Sequence, residues 1–253
     1  MARALRDTDR KQRTNELGRT GTGYRNRDSP YQLGHKTTAH PFEWFQQNPQ
    51  KFDLFLKWMA HNRDGLPSWL ETYPFEQEVG STTDETVLFV DIGSAGGHQS
   101  IELCERFPKL PGRVIIQDQE HVISTVKPSE GIEPMAYDFN KPQPVQGAKA
   151  YYMRMILHDY PDAQCRKVLQ NTMTAMKEDS VLLIDEIVLP EVGAAWRATQ
   201  MDMTMLNALA GKERSEKEWY ALLESVGLQI VKIWKYTEEC EDCIIVAKPQ
   251  AFV

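Results

Sequence analysis

One stretch, residues 86–100, most constrains what this chain can fold into. It reads TVLFVDIGSAGGHQS: an apolar run, then Asp91, then a turn with three glycines, then a polar start to a helix. Glycines let a backbone approach a ligand closely, and a helix N-terminus offers unpaired N–H groups. The stretch therefore predicts the first strand, loop and helix of a nucleotide-type site. Because Ser94 and Ala95 stand where a richer loop carries glycine, a tight turn without a ligand remains an alternative.

Strand-like and helix-like segments alternate after this loop. Strands are predicted over residues 113–117, 132–137, 148–155 and 181–184, and helices over 122–126 and 161–177. Such alternation favours a parallel sheet with helices on both of its faces. Two later apolar runs, 228–234 and 243–247, predict an antiparallel pair at one edge of that sheet.

The four cysteines do not indicate a disulfide framework, because they are few and scattered. A reducing, cytoplasmic setting follows as the expectation. Cys240 and Cys243 form a C-x-x-C pair, which can mark a zinc or redox site, but no second pair supplies the other zinc ligands. We interpret the pair as the turn of the C-terminal hairpin, and we expect no metal.

Charge is distributed unevenly along the chain. Residues 1–36 hold nine basic and four acidic side chains, a net of +5, and the remaining 20 basic and 32 acidic side chains give −12, which together make −7. A basic arm can bind nucleic acid, but this arm lacks interleaved aromatic residues and belongs to an acidic body. We therefore expect a solvated, disordered tail over residues 1–40 and no nucleic-acid partner.

Neither a membrane span nor a secretory signal is expected. No apolar run approaches the ~18 residues that a span requires, and the start, MARALRDTDRKQRTNEL, has no apolar core after its basic residues. Aromatic residues recur at helical spacing between residues 42 and 59, which predicts a helix after Asn48-Pro49. We divide the chain into the tail, a helical substrate-side segment over 41–80, and a main domain over 81–253.

Acidic residues follow the predicted strands, and ligands bind at those strand ends in open α/β sheets. Asp118 lies 21 residues after Gly97, the distance at which a carboxylate at the end of a second strand meets ribose hydroxyls. Asp91, Asp138 and Glu186 end the other strands in this prediction. Their grouping favours a ligand site over a solvated Asp118.

Three sequence blocks resemble a known family: FVDIGSAGGHQS, MILHDYPDAQC, and DEIVLPE together with GKERSEKEW. From about residue 41 to residue 249 the chain is similar to the S-adenosylmethionine-dependent O-methyltransferases of the caffeic acid type, especially their fungal secondary-metabolite branch. The resemblance implies an α/β fold with a Rossmann-like, mostly parallel sheet of seven strands. It also implies an antiparallel hairpin at the C-terminal edge and a short helical N-terminal segment.

The resemblance also implies roles for individual residues, with S-adenosyl-L-methionine as the cofactor. The residues expected to bind it are Gly93 with its neighbours Asp91, Ser94 and Gly96 at the methionine part, Asp118 at the ribose, Asp138 and Phe139 at the adenine, and the basic Arg154 nearby. The residues expected to be catalytic are His158 as general base and Glu186 and Glu213 as the acids that flank it.

The chemistry of methyl transfer explains these residue types. Imidazole, with a pKa near ~6.5, is suited to accept a proton from a phenolic hydroxyl as the oxygen attacks the methyl group. His158 could alternatively be a helix-start residue, because Asp159, Pro161 and Asp162 suit a first turn. The presence of both glutamates favours the base. The expected substrate is a small hydroxylated metabolite.

Two other functions stay open at the level of sequence. Some relatives keep the cofactor site but catalyse dehydration or pericyclic rearrangement, and a degenerate methyltransferase could serve as a non-catalytic partner protein. Members of the family normally carry a further N-terminal winged-helix domain that forms the dimer, and here only the basic tail precedes Pro41. The expectation is therefore a shortened relative or an incomplete start, with homodimerisation in doubt.

Overall fold

A computed structural model describes residues 29–61, 63, 65–127 and 130–252, without the side chains of residues 56, 59 and 60. Its α-helices are α1 (Pro30–His35), α2 (Pro41–Gln47), α3 (Pro49–His61), α4 (Phe75–Val79), α5 (His98–Arg106), α6 (Glu120–Ile123), α7 (Asp162–Met173), α8 (Trp196–Leu209) and α9 (Glu216–Glu224). Its strands are β1 (Val87–Ile92), β2 (Arg113–Asp118), β3 (Ile132–Ala136), β4 (Ala150–Arg154), β5 (Val181–Leu189), β6 (Arg214–Ser215), β7 (Leu228–Lys235) and β8 (Asp242–Pro249). Short 3₁₀ turns occur at Trp69–Glu71, Leu157–Asp159 and Gln250–Phe252.

The sheet has the strand order β3-β2-β1-β4-β5-β8-β7, and the short β6 pairs with β5 beside this path. Strands β1 to β5 pair in parallel, whereas β8 is antiparallel to both β5 and β7. The predicted α/β sheet of seven strands with an antiparallel C-terminal hairpin is confirmed. Strand order reverses between β1 and β4, the place where ligands bind in open sheets of this kind.

Strand β5 is longer than predicted, and this changes the place of two acidic residues. The sequence predicts a strand that ends before Asp185, but β5 continues to Leu189. Its antiparallel partner β8 pairs with it through Ile187, and β6 pairs with Val188 and Leu189. Because these partners extend the ladder, Glu186 lies inside the strand and not at its end. Asp91, similarly, lies within β1 and not after it.

Two hydrophobic clusters cover the two faces of the sheet. In β4 the side chains alternate, so that Tyr151 and Met153 face one cluster and Tyr152 faces the other. The first cluster includes Trp219 from α9 and residues of α7, and the second includes Trp69 from the first 3₁₀ turn. All five of these side chains are buried. Two-sided burial is expected for parallel strands and fixes the helices on both faces.

The structure differs from the sequence prediction near the N-terminus. Residues 30–35, predicted as disordered tail, form α1, because Ser29 and Gln32 make a capping box and Pro30 suits the first helical position. Tyr31 of this helix packs edge-on against Trp44 of α2, with ring centroids 5.4 Å apart. The rest of the predicted tail up to residue 28 lies outside the described residues. The predicted helix after Asn48 is confirmed as α3.

The C-x-x-C pair lies at the β7–β8 hairpin, as predicted. Cys240 is in the connection and Cys243 is in β8, and both are free thiols. Within the described part of the chain, we find no helix that combines the length and the apolar character needed to cross a membrane.

Candidate active site

The glycine-containing loop joins β1 to α5 and lies against β2 and the turn that follows β4. Gly93 has a φ of 75°, and a Cβ there would lie 2.4 Å from the Cδ1 atom of Ile156. Its backbone N–H donates to the carbonyl of Gln117 at 2.7 Å, and that of Ser94 donates to the same oxygen at 3.1 Å. The left-handed backbone therefore favours glycine at position 93, and a side chain there would also have to displace Ile156. The helix start follows the loop at His98, as predicted.

A pocket opens beside this loop, at the carboxyl ends of β1 and β2. It is a partly open cleft at the edge of the sheet where ligands bind in open α/β folds. Its lining residues are Ile92, Gly93, Gln117, Asp118, Gln119, Tyr137, Asp138, Phe139, Asn140, Tyr160 and Gln164. Four of the predicted cofactor residues, Gly93, Asp118, Asp138 and Phe139, thus share one pocket.

Both pocket carboxylates also organise the backbone around them. Asp118 accepts the N–H of Ala95 at 2.9 Å and that of Gln119 at 2.7 Å. Ala95 has a φ of 47°, unusual for a residue other than glycine, and the Asp118 contact stabilises it there. Hydrogen bonds from Asn140 lower the pKa of Asp138. Each carboxylate keeps further lone pairs for a ligand.

The other predicted cofactor residues lie around the pocket but do not line it. Asp91 is buried within β1 and accepts a hydrogen bond from the hydroxyl of Ser100 at 2.8 Å, and burial raises its pKa to about 7. The hydroxyl of Ser94 is buried and has no hydrogen-bond partner among the described residues. Gly96 lines a separate small cavity behind the loop. Asp91 therefore ties β1 to α5, and its predicted ligand contact stays a prediction.

Arg154 ends β4 and belongs to a buried polar network that the sequence did not reveal. Its Nη1 atom lies 3.0 Å from Oδ2 of Asp185, which also accepts the hydroxyl of Tyr152 at 2.5 Å. The other oxygen of Asp185 accepts the hydroxyl of Tyr236 at 2.7 Å. Burial alone would lower the pKa of Arg154, but Asp185 raises it well above its usual value. The guanidinium is thus held charged at the ligand end of the sheet.

His158 lies in the 3₁₀ turn after β4 and is flanked by the two predicted glutamates. Its Nδ1 atom lies 2.8 Å from Oε1 of Glu213 and 3.7 Å from Oε2 of Glu186. All three side chains are buried. The other oxygen of Glu186 accepts the N–H groups of Ile156 and Leu157 at 2.9 and 2.7 Å. Glu186 thus fixes the backbone of the turn as well as flanking the imidazole.

The electrostatic environment favours a proton on the imidazole. Burial by itself would lower the pKa of His158, but the carboxylates of Glu213, Glu186 and Asp159 raise it to about 10. Burial also raises the pKa of Glu186 and that of Asp159, the latter to about 6. Oε2 of Glu186 and Oε2 of Glu213 have no hydrogen-bond partner among the described side chains. The imidazole of His158 therefore binds a proton strongly, because the nearby carboxylates favour its charged form.

The same three residues satisfy a simple geometric test for a metal site. One ligand atom from each of His158, Glu186 and Glu213 lies within 4.8 Å of the other two. Histidine and carboxylates are ordinary ligands of zinc and of other transition metals. The expectation of a metal-free site therefore stays a prediction.

Sequence reasoning missed several residues of the site. Gln117, Tyr160 and Gln164 line the pocket, and Asp185 holds Arg154. The sequence pattern could have suggested a buried role for Asp185, because this acidic residue interrupts the otherwise apolar run of β5. The pocket contacts of Gln164, on a helix distant in sequence, carry no comparable signal.

A family model for the O-methyltransferase domain matches residues 77–229 of the chain. The chain belongs to the O-methyltransferase family. Within it, a demethylsterigmatocystin 6-O-methyltransferase from Aspergillus parasiticus is 40% identical over 226 residues, which are 89% of this chain and 58% of that relative. The region of this chain that the family model matches includes the glycine loop, the pocket and the His158 cluster.

Two solved structures are closely similar to this chain. One is described as a pericyclic reaction enzyme; it is 38% identical, has a TM-score of 0.82, and the match covers 90% of this chain and 60% of that one. The other is LepI in complex with SAM, at 39% identity and a TM-score of 0.82, covering 89% of this chain and 58% of that one. The chain thus spans somewhat more than half the length of these relatives.

Proposed function

We propose that the protein transfers the methyl group of S-adenosyl-L-methionine to a phenolic hydroxyl of a small aromatic or polyketide-type metabolite. The observation that carries the proposal is the position of His158. Its turn borders the pocket at both ends, since Ile156 contacts Gly93 and Tyr160 lines the pocket, while its Nδ1 atom lies 2.8 Å from Glu213. A base beside a cofactor pocket is what methyl transfer to an oxygen requires.

The pocket suits the proposed cofactor. Asp118 can accept hydrogen bonds from ribose hydroxyls, and Asp138 with Phe139 can contact an adenine ring. Gly93 permits close approach of a ligand at the loop, and the neighbouring Ser94 keeps a buried hydroxyl without a hydrogen-bond partner among the described residues. When bound, S-adenosylmethionine supplies a methyl group on a positively charged sulfur. The related LepI structure, solved with SAM, and the name of the Aspergillus relative support this donor and the acceptor class.

The residues around His158 have distinct tasks in the proposed reaction. Nε2 of the imidazole, which lies 3.4 Å from Oδ1 of Asp159, accepts the proton of the acceptor hydroxyl, while Glu213 holds the hydrogen on Nδ1 and fixes the tautomer. Glu186 stabilises the imidazolium and keeps the turn in place. The proton leaves to solvent after the methylated product departs. Much of the remaining rate would come from alignment of the oxygen with the methyl group.

The direct test uses S-adenosylmethionine labelled in its methyl group and a panel of candidate phenols. We expect label in the phenol and one equivalent of S-adenosylhomocysteine for each methyl transferred. A chelator should leave the rate unchanged, since the proposed chemistry uses no metal. Full loss of activity on chelation, with recovery on adding one metal, would instead assign the three-residue cluster to that metal.

A second candidate function is a rearrangement or dehydration of a bound metabolite, because one closely similar structure is a pericyclic reaction enzyme. The same assay separates the two, since a rearrangement converts the acceptor without consuming the cofactor. A non-catalytic partner protein is the third candidate, and calorimetry with S-adenosylmethionine tests it. We also propose a reducing, cytoplasmic setting and no nucleic-acid partner, supported by four free cysteines and the acidic body.

A further inference from the structure

Arg214 is a fully buried cation beside the His158 cluster, with 1% of its surface exposed. A buried guanidinium is costly unless its donors are used. Nη1 donates to the carbonyl of Leu157 at 2.9 Å, and Nη2 donates to the carbonyl of Tyr160 at 3.1 Å. Nη2 and Nε both donate to Oδ1 of Asp162, at 2.8 and 3.2 Å. The forked guanidinium of Arg214 therefore holds the turn both before and after His158.

The three residues before Arg214 contact the same turn. A Cβ on Gly211 would lie 2.2 Å from the carbonyl oxygen of His158, so the two backbones touch. The N–H of Lys212 donates to that oxygen at 3.2 Å. Glu213 binds the imidazole itself. Four consecutive residues, which we call the 211–214 clamp, thus contact the turn through backbone, carboxylate and guanidinium.

The clamp is itself anchored to rigid elements. The N–H of Glu213 donates to Oδ1 of Asp202 on α8 at 3.0 Å. Arg214 pairs with Val188 at the end of β5, the strand that carries Glu186. Its guanidinium lies 5.2 Å from the ring centroid of Trp219, which is buried and donates to the carbonyl of Ile187. Glu186 and Glu213 therefore lie on two segments, β5 and the clamp, that pair directly with each other.

We propose that Arg214 is a positioning residue for the base: its fork fixes the 157–162 turn against the clamp, so that His158 and its two glutamates stay aligned. This inference rests on the proposed function, because alignment matters only if His158 acts as base. Lysine cannot replace the fork, since one ammonium nitrogen cannot reach Leu157, Tyr160 and Asp162 together in the same geometry. In the sequence motif GKERS, Arg214 directly follows Glu213.

The test compares Arg214→Lys with Arg113→Lys, which breaks an exposed two-bond pair with Glu133 at the start of β2 and serves as the matched control. NMR titration of the His158 imidazole, assigned with His158→Gln, should give a lower pKa in Arg214→Lys than in the wild type and the control. The single-turnover rate should fall by about 10²-fold, the typical effect of a small misplacement. The dissociation constant for S-adenosylmethionine should stay within about twofold.

Asp162→Asn is a milder second variant, because its side chain is 45% exposed and still accepts hydrogen bonds from Arg214. It should change the imidazole pKa and the rate in the same direction but less. A wild-type pKa and rate in folded Arg214→Lys would overturn the proposal; if that variant does not fold, a wild-type titration of Asp162→Asn overturns it. Absence of methyl transfer by the wild-type protein would sink the proposed function instead, while the NMR titration would still decide whether Arg214 aligns His158.

Discussion

At the scale of single residues, His158 shows how burial and charge set the strength of a base. The pKa of about 10 that its carboxylate neighbours produce is close to that of a phenol, ~10. Proton transfer between groups of similar pKa is nearly balanced in free energy, although a general base is most effective when its pKa lies near the operating pH. The opposing effect is that at neutral pH the imidazole mostly carries a proton already. The first three predictions follow from these residue-level properties.

Replacement of the base should slow the chemical step and leave cofactor binding intact. His158→Ala should lower the single-turnover rate by roughly 10²–10⁴-fold, the usual effect of a positioned acid–base group. The affinity for S-adenosylmethionine should stay near wild type, since His158 does not line the pocket. His121→Ala on the exposed side of α6 is the control. Methylation at the parental rate by His158→Ala would rule out the proposed base.

The rate should increase as the pH rises through neutrality. Neutral imidazole is the reactive form, and a raised pKa means that it becomes abundant only near pH 10 rather than at ~6.5. Rapid-quench single-turnover rates between neutral pH and about pH 10 measure this rise in rate. Glu213→Gln removes the nearest carboxylate charge and should move the midpoint to lower pH, with a lower maximal rate. A rise centred at 6.5 in the wild-type protein would contradict the electrostatic account.

Asp118 should be required for cofactor binding. Asp118→Ala removes a charge-assisted contact to ribose worth roughly 1.5–3 kcal/mol, or about a tenfold to hundredfold loss of affinity. The loss includes a contribution from the loop, because Asp118 also accepts the N–H of Ala95. Calorimetry with S-adenosylmethionine measures it, with Asp179→Ala, a surface partner of Lys149, as the control. Unchanged affinity in Asp118→Ala would refute its assignment to the ribose.

At the scale of elements, the site depends on how closely two connecting segments approach each other. The turn after β4 and the segment between α8 and α9 meet backbone to backbone at Gly211. Close contact of this kind leaves no room for a methyl group, because native interiors are already densely packed. The geometry of His158 therefore depends on the absence of a side chain at Gly211.

Gly211→Ala should separate these two segments. A Cβ at 2.2 Å from the carbonyl oxygen of His158 must displace backbone, and we expect a loss of about 1–3 kcal/mol in the free energy of unfolding. The methylation rate should fall more than stability alone explains, because the base moves with the turn. Urea denaturation and single-turnover kinetics measure both. Gly34→Ala, where nothing lies within 4 Å, is the control; equal effects in the two variants would contradict this prediction.

At the scale of the whole molecule, large apolar side chains are exposed on several helices. The more exposed of them include Leu33 on α1, Leu54 and Trp58 on α3, and Trp196 and Met203 on α8. Helix α1 packs against α8, which brings two of these helices together. Exposed apolar surface favours association.

The purified chain should associate as its concentration rises. Trp196 is 69% exposed, so Trp196→Glu should shift light scattering toward the monomer without lowering the melting temperature. Tyr220→Glu, at a 38% exposed position on α9, is the control. A monomer at all concentrations with full activity would show that these side chains do not mediate association.

Local patterns in the sequence determined the order of the elements and much of the pocket. Alternating apolar runs and turns predict the parallel strands, and the glycines at 93, 96 and 97 predict the loop, because these features depend on neighbouring residues only. The position of Asp118 at the end of β2 follows from the same local spacing. Helix α1 was missed despite its local signal, since the basic composition around it outweighed the capping box of Ser29 and Gln32.

Tertiary structure alone decided which distant side chains meet. His158 and Glu213 are 55 residues apart, and without the family resemblance no periodicity would pair them. The length of β5 depended on β8 and β6, which extend its ladder past Glu186. The guanidinium of Arg214 meets the carbonyl groups of Leu157 and Tyr160, which lie 57 and 54 residues earlier in the chain. Hydrogen bonds of this kind depend on where whole elements settle against one another, and a sequence pattern records only the neighbours along the chain.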